Sequence, residues 1–299
     1  MKIDVKISIP DDDFLFGLQE VLKIIECINQ CDENEVTIVF HEKTFVTPIF
    51  ILPLLVYEKG CNKKLIYDNK NSYLNTICFS NGGLKSDSFD SPMRFSEKMK
   101  SYSKKTFIPI INFSTDNEFT TERNMILTAI ENMIASRLNL RHNITYGLKY
   151  IVEECVDNII EHSESERGYI FGQFYPKKKF LDICIADNGI TLLGSYRKMP
   201  SNVYTDDLSA MQAANRGIST KNLSAAENRG FGIVTSKKML IDGLNGYYVM
   251  LSGSALHLKN RKVDKYLLLP AHIKWQGTII AIRIPYVDNN NFRYIDFVE

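Results

Sequence analysis

Residues 150–163 read YIVEECVDNIIEHS. Glu154, Asn158 and His162 recur at i, i+4 and i+8, so a helix aligns them along one side. Ile151, Val152, Cys155, Val156, Ile159 and Ile160 supply the apolar positions that face a core. A carboxylate and a carboxamide one turn apart on a half-buried helix need partners, because unpaired buried polar groups are costly. The pairing suits chemistry at a hydrated cation. The Asn158 oxygen can ligate Mg²⁺ while Glu154 polarises a water.

Three later stretches extend this reading. IADNGI places Asp187 and Gly189 at the end of a strand over 180–186. ENRGFGIVTSKKML places Arg229, Gly230, Phe231 and Gly232 at the opening of a helix over 230–241. QGTIIAIRIP starts a strand at Gly277 and Thr278. Helical spacing runs over 116–140, and alternation predicts a hairpin over 168–175 and 179–186 and strands over 246–252, 256–258 and 277–285. The helices come as a block and the strands pair as hairpins. This is an α+β pattern, with helices on one face of a mixed, mostly antiparallel sheet. No GxxxxGK[ST] occurs, which argues against a P-loop. The stretch 190–229 shows no strong period beyond a helix near 206–215, and a loop of that length is usually functional or mobile.

The first 85 residues alternate strands (2–9, 35–40, 64–67) with helices (14–29, 47–59, 71–79), as a small α/β unit does. Residues 86–115 are rich in Ser, Asp and Lys and read as a linker, with a strand near 105–112. The third unit covers 116–299. The chain of 299 residues is long enough for two ordinary domains. Its net charge of +1 gives no electrostatic footprint for nucleic acid or an anionic membrane. The run Lys177–Lys179 reads as a solvated turn. The six cysteines form no C-x-x-C pair and no zinc pattern. The longest apolar run, over 45–57, is interrupted by Pro48 and Pro53 and falls short of the roughly 20 residues needed to span a bilayer. Composition and termini predict a soluble cytoplasmic protein with free thiols.

The four stretches, in this order, resemble the four boxes of the GHKL (Bergerat-fold) ATPases, over roughly 117–287. That superfamily includes gyrase, histidine kinases and the anti-sigma serine kinases. The resemblance implies a Bergerat-type α/β sandwich that binds ATP with Mg²⁺. It implies that Glu154 is the base for the attacking water and that Asn158 is the metal ligand. Asp187 would accept from the adenine amine, Gly189 would let the backbone approach the base, and Thr278 would support the base through water. Arg229, Gly230, Phe231 and Gly232 would form the phosphate-binding turn. The run 217–221 resembles a lid motif, making Lys221 a candidate contact for the terminal phosphate. The N-terminal unit more loosely resembles a STAS-type domain, though the Asp-Ser-Ser-Gly-type turn is missing near Thr44 and Thr47. His41 and Glu42 follow a strand rather than lying on a dimerising helix, which disfavours a histidine kinase. The expected activity is Mg²⁺-dependent ATP binding with slow hydrolysis. Lid closure would then act on a protein partner or on self-association. An anti-sigma-type Ser/Thr kinase and a non-hydrolysing ATP sensor are the alternatives.

Overall fold

A computed structural model describes residues 1–5, 13–116, 123–124, 127–128, 130–132, 142–220, 232–270, 272–285 and 292–297. Strands β1 (Lys2–Val5), β2 (Glu35–Phe40) and β3 (Lys64–Asn69) form a parallel three-stranded sheet in the order 1-2-3. Helices α1 (Phe16–Gln30) and α2 (Pro48–Gly60) are its crossovers. Pro48 sits in the first turn of α2, where no amide partner is lost. Every residue of α2 from Pro48 to Val56 is buried. A helix apolar on all sides must be enclosed on all sides. Here α1 and the first sheet cover part of it, and a second sheet covers a further side.

That sheet has eight strands in the order β10-β9-β8-β11-β7-β6-β5-β4. Its members are β4 (Leu84–Lys85), β5 (Phe107–Ser114), β6 (Arg167–Tyr175), β7 (Phe180–Asp187), β8 (Tyr247–Gly253), β9 (Ala255–Lys259), β10 (Asp264–Leu268) and β11 (Trp275–Pro285). All pairings are antiparallel except β4 with β5. The mixed, mostly antiparallel α+β class is therefore as expected. Short helix α3 (Ser72–Thr76) leads into β4. The stretch 86–115, expected as a linker, carries a 3-10 turn, helix α4 (Pro92–Lys100) and β5. Ser91 caps α4 by accepting from the Arg94 amide.

On one face lies α5 (His142–His162), the helix of the opening stretch. Its Leu148, Ile151, Val152, Cys155 and Ile159 pack on Leu181, Ile183 and Ile185 of β7 and on Ile280, Ile282 and Ile284 of β11. The opposite residues of those strands, Cys184, Ala186, Ile279 and Ala281, pack with α1 and α2. Helices thus cover both faces, not the one face expected. The reason is visible in β7 and β11, which are apolar at nearly every position, as strands buried on both faces are. Asp182 interrupts this run and pairs with the cross-strand Arg283, with Oδ1 2.7 Å from Nε.

Between β7 and β8 the chain leaves the sheet. Helices α6 (Leu192–Arg197) and α7 (Asp207–Asn215) form a flap over one end of α5. Helix α8 (Gly232–Lys238) then packs beside α5 and runs into a π-helical turn at Met239–Gly243.

Candidate functional site

Between α5, the ends of β7 and β11, and the flap lies an open cleft. Glu154, Asn158, Asp187, Gly232 and Thr278 all line it, although they lie on four separate stretches of sequence. Each arrives there for a local reason. Helical spacing puts Glu154 and Asn158 on the cleft side of α5 while the apolar stripe faces the sheet. Strand pairing places Asp187 and Thr278 at adjacent strand ends, since Ala186 is opposite Ile279.

Asp187 is 1 % exposed. Its Oδ1 accepts from the Gly189 amide at 2.9 Å and its Oδ2 from the Thr278 amide at 3.2 Å. Burial raises its pKa to about 7, and the two amides oppose that rise. Glycines make room around it. A Cβ at Gly277, whose φ is +86°, would stand 2.4 Å from the Asp187 carbonyl oxygen. A Cβ at Gly189 would stand 1.9 Å from the Ser163 carbonyl oxygen. The Gln276 side chain donates to the Gly189 carbonyl at 2.6 Å, closing the turn.

Glu154 is half-buried, and desolvation raises its pKa. The Tyr150 hydroxyl donates to it and works against that rise, while Asp157, Glu153 and Glu161 add to it. A Cβ at Gly232 would fall 1.8 Å from Glu154 Oε2, so α8 approaches this carboxylate more closely than any side chain would allow. Asn158 donates its Nδ2 to the Glu154 carbonyl at 2.6 Å. That bond commits the NH₂ end of the amide to the helix and leaves the oxygen as the end available to a cation. Asp157 and Glu153 instead pair with Arg123.

Above the cleft, Thr220 bridges the flap to α5. Its Oγ1 is 3.1 Å from His162 Nδ1 and accepts from Ser195 at 3.1 Å. Thr191 caps α6 by accepting from the Gly194 amide. Lys221, Arg229, Gly230 and Phe231 lie outside the described residues. Thr44 and Thr47 of the N-terminal unit are buried, and Thr44 donates to the Val5 carbonyl.

The sequence reading missed Ser252, which is 1 % exposed. It accepts from the Leu192 amide at 3.0 Å and from Thr278 at 3.3 Å, and donates to the Gly277 carbonyl at 2.9 Å. It thereby ties the flap to β8 and β11. A hydroxyl inside the apolar strand YYVMLSG was the available signal. Among the described residues, no group of three or more His, Cys, Asp or Glu side chains could hold a metal ion. No described helix is long and apolar enough to cross a membrane. Compared with protein-family models and with curated proteins, the sequence matches none.

Proposed function

We propose that this protein binds ATP with Mg²⁺ in the cleft and hydrolyses it slowly, as a GHKL-type domain with a Bergerat sandwich and a docked STAS-like unit. One observation carries the reading. Residues singled out from four stretches of sequence for four different tasks meet at one cleft. The residues present also fit the ligand. Asp187 is a buried acceptor suited to an exocyclic amine. Gly189 and Gly277 keep side chains away from the turn beside it, and Gly232 does so near Glu154.

Asn158 would hold the metal by its oxygen, and one protein ligand suffices because Mg²⁺ keeps waters and takes the rest from phosphates. Bound Mg²⁺ would neutralise phosphate charge. Glu154 takes the proton from the attacking water, and desolvation moves its pKa toward neutral pH, where a general base is most effective. The flap over 190–220 shields the cleft from bulk water, and its ordering communicates occupancy to a protein partner or a second copy of the chain. Incubation with γ-labelled ATP tests the activity. Free labelled phosphate is expected. Labelled protein would support the serine/threonine kinase instead, and intact bound ATP the sensor.

A further inference from the structure

Lys237, at the far end of α8 from Gly232, is an ammonium group only 7 % exposed. Among the described residues no carboxylate bonds to it, and Asp264 acts on it only at longer range. Its Nζ donates to the Asn215 carbonyl at 3.1 Å and to Asn215 Oδ1 at 2.8 Å, and it lies 6.0 Å from the centre of the Tyr248 ring. A buried charge is costly, and a fold that keeps one usually uses it. Here the cation sits at the C-terminus of α7, where orphan carbonyls carry negative partial charge.

Asn215 is itself held from two sides. Its Nδ2 donates to the Met211 carbonyl at 2.9 Å. Its Oδ1 also faces His257 Nδ1 at 3.0 Å, and His257 Nε2 faces Asp264 Oδ1 at 2.8 Å. The His257 ring is fully buried and stacks on Tyr266 at 4.1 Å. At its other end, α7 is pinned by Asp207, which accepts from the Ser254 amide at 2.8 Å and its hydroxyl at 2.9 Å. The flap helix is therefore fixed to the sheet at one end and to α8 at the other. That same α8 places Gly232 against Glu154.

We propose that Lys237 is a positioning residue. Acting through Asn215, it locks the flap helix α7 to α8, so that the flap and the Glu154 end of the cleft hold one geometry. The buried His257 ring packs behind Asn215. The lock stands on contacts within the chain, and only its consequence for turnover rests on the ATP reading.

The test compares wild type with Lys237→Met, which keeps the reach and loses the charge, and with Lys237→Arg. Hydrogen exchange is followed in the nucleotide-free full chain at the amides of Arg216, Gly217 and Ile218, which bond to carbonyls of residues 212–214. Lys237→Met should exchange there about tenfold faster, with β7 and β11 unchanged and Lys237→Arg partly restored. Turnover of ATP should fall while ADP affinity stays, because Asp187 and Thr278 are untouched. If Lys237→Met does not fold, Asn215→Ala supplies the same comparison. Exchange within twofold of wild type at these amides in the folded variants would overturn the lock. Wild-type protein that binds no ATP would sink the functional reading, and the exchange result would still decide the lock.

Discussion

The two ends of the cleft are built differently. The Asp187 end is borne on strands. Its carboxylate is buried, both oxygens accept backbone amides, and Gly189, Gly277 and Ser252 fix the surrounding turn. The Glu154 end is borne on helices. Glu154 and Asn158 are half-buried, and their neighbours are α8 and the flap, which meets α5 through the Thr220 to His162 contact. The ends of central strands, locked by ladders on both sides, suit recognition of a rigid group. A helix face under a flap suits a reacting group whose surroundings must close and reopen. The difference implies that binding and turnover can be separated by mutation.

The largest effect should come from Glu154→Gln. It removes the base and keeps the shape, so turnover should drop by roughly 10²–10⁴-fold. ATP affinity should hold or rise, because a carboxylate no longer faces the phosphates. A mutant that releases phosphate at the wild-type rate would exclude this role.

At the opposite end, Gly189→Ala should damage binding and stability together. The new methyl meets the Ser163 carbonyl, a backbone atom that cannot rotate aside. Overpacking of this kind costs about 1–3 kcal/mol or more, visible as a lower thermal midpoint. Gly189→Ala with an unchanged midpoint would show the turn to be less rigid than the comparison requires.

Asp187→Asn should weaken ATP by about 1.5–3 kcal/mol, the range for hydrogen bonds to charged groups, while leaving residual turnover at saturation. A loss of turnover with affinity intact would reverse the assignment of the two ends.

The smallest effects are pH-dependent. The Asp187 carboxyl has its pKa raised to about 7, so it is largely protonated at pH 6 and ionised at pH 8. Adenine's amine needs an acceptor, so adenosine affinity should rise by up to about tenfold across that interval and then level off. Calorimetry at several pH values checks this, and a flat profile would remove Asp187 from the base site. His257 behaves in the opposite sense. Burial lowers its pKa to about 4 against the pull of Asp264, with Lys237 and Lys259 adding to the fall and Tyr248 and Tyr266 packed on the ring. The unfolded chain therefore takes up this proton first as pH falls. Stability conferred by the neutral ring should be lost between pH 6.5 and about 4. His257→Gln should flatten that part of the midpoint-versus-pH curve.

Much of this architecture was legible. The bounds of β2 match the reading, and α5 carries Glu154, Asn158 and His162 along the cleft at the spacing the sequence dictates. Three features escaped for physical reasons. Helix α6 is six residues long and has no room for a period, so its sign was the Thr191 cap alone. Strand β10 is an edge strand exposed at four of five positions, and alternation fails where neither face is buried. The docking of α2 on the sheet is a tertiary fact. Its trace was the all-apolar run Pro48–Val56 matched by the all-apolar β7 and β11, which single-segment patterns do not connect. At the site, side chains on regular elements were found, and the bracing by Ser252, Gln276 and Tyr150 was not, because it depends on strand register and on which helix face meets which strand.

The most direct measurement is calorimetric titration of the full chain with ATP, with and without Mg²⁺, beside GTP and beside Asn158→Ala. The account predicts ATP binding that strengthens with Mg²⁺, much weaker GTP binding, and loss of the Mg²⁺ gain in Asn158→Ala with the fold intact. Absence of ATP binding, equal binding of ATP and GTP, or an Asn158→Ala protein with wild-type Mg²⁺ dependence would contradict it.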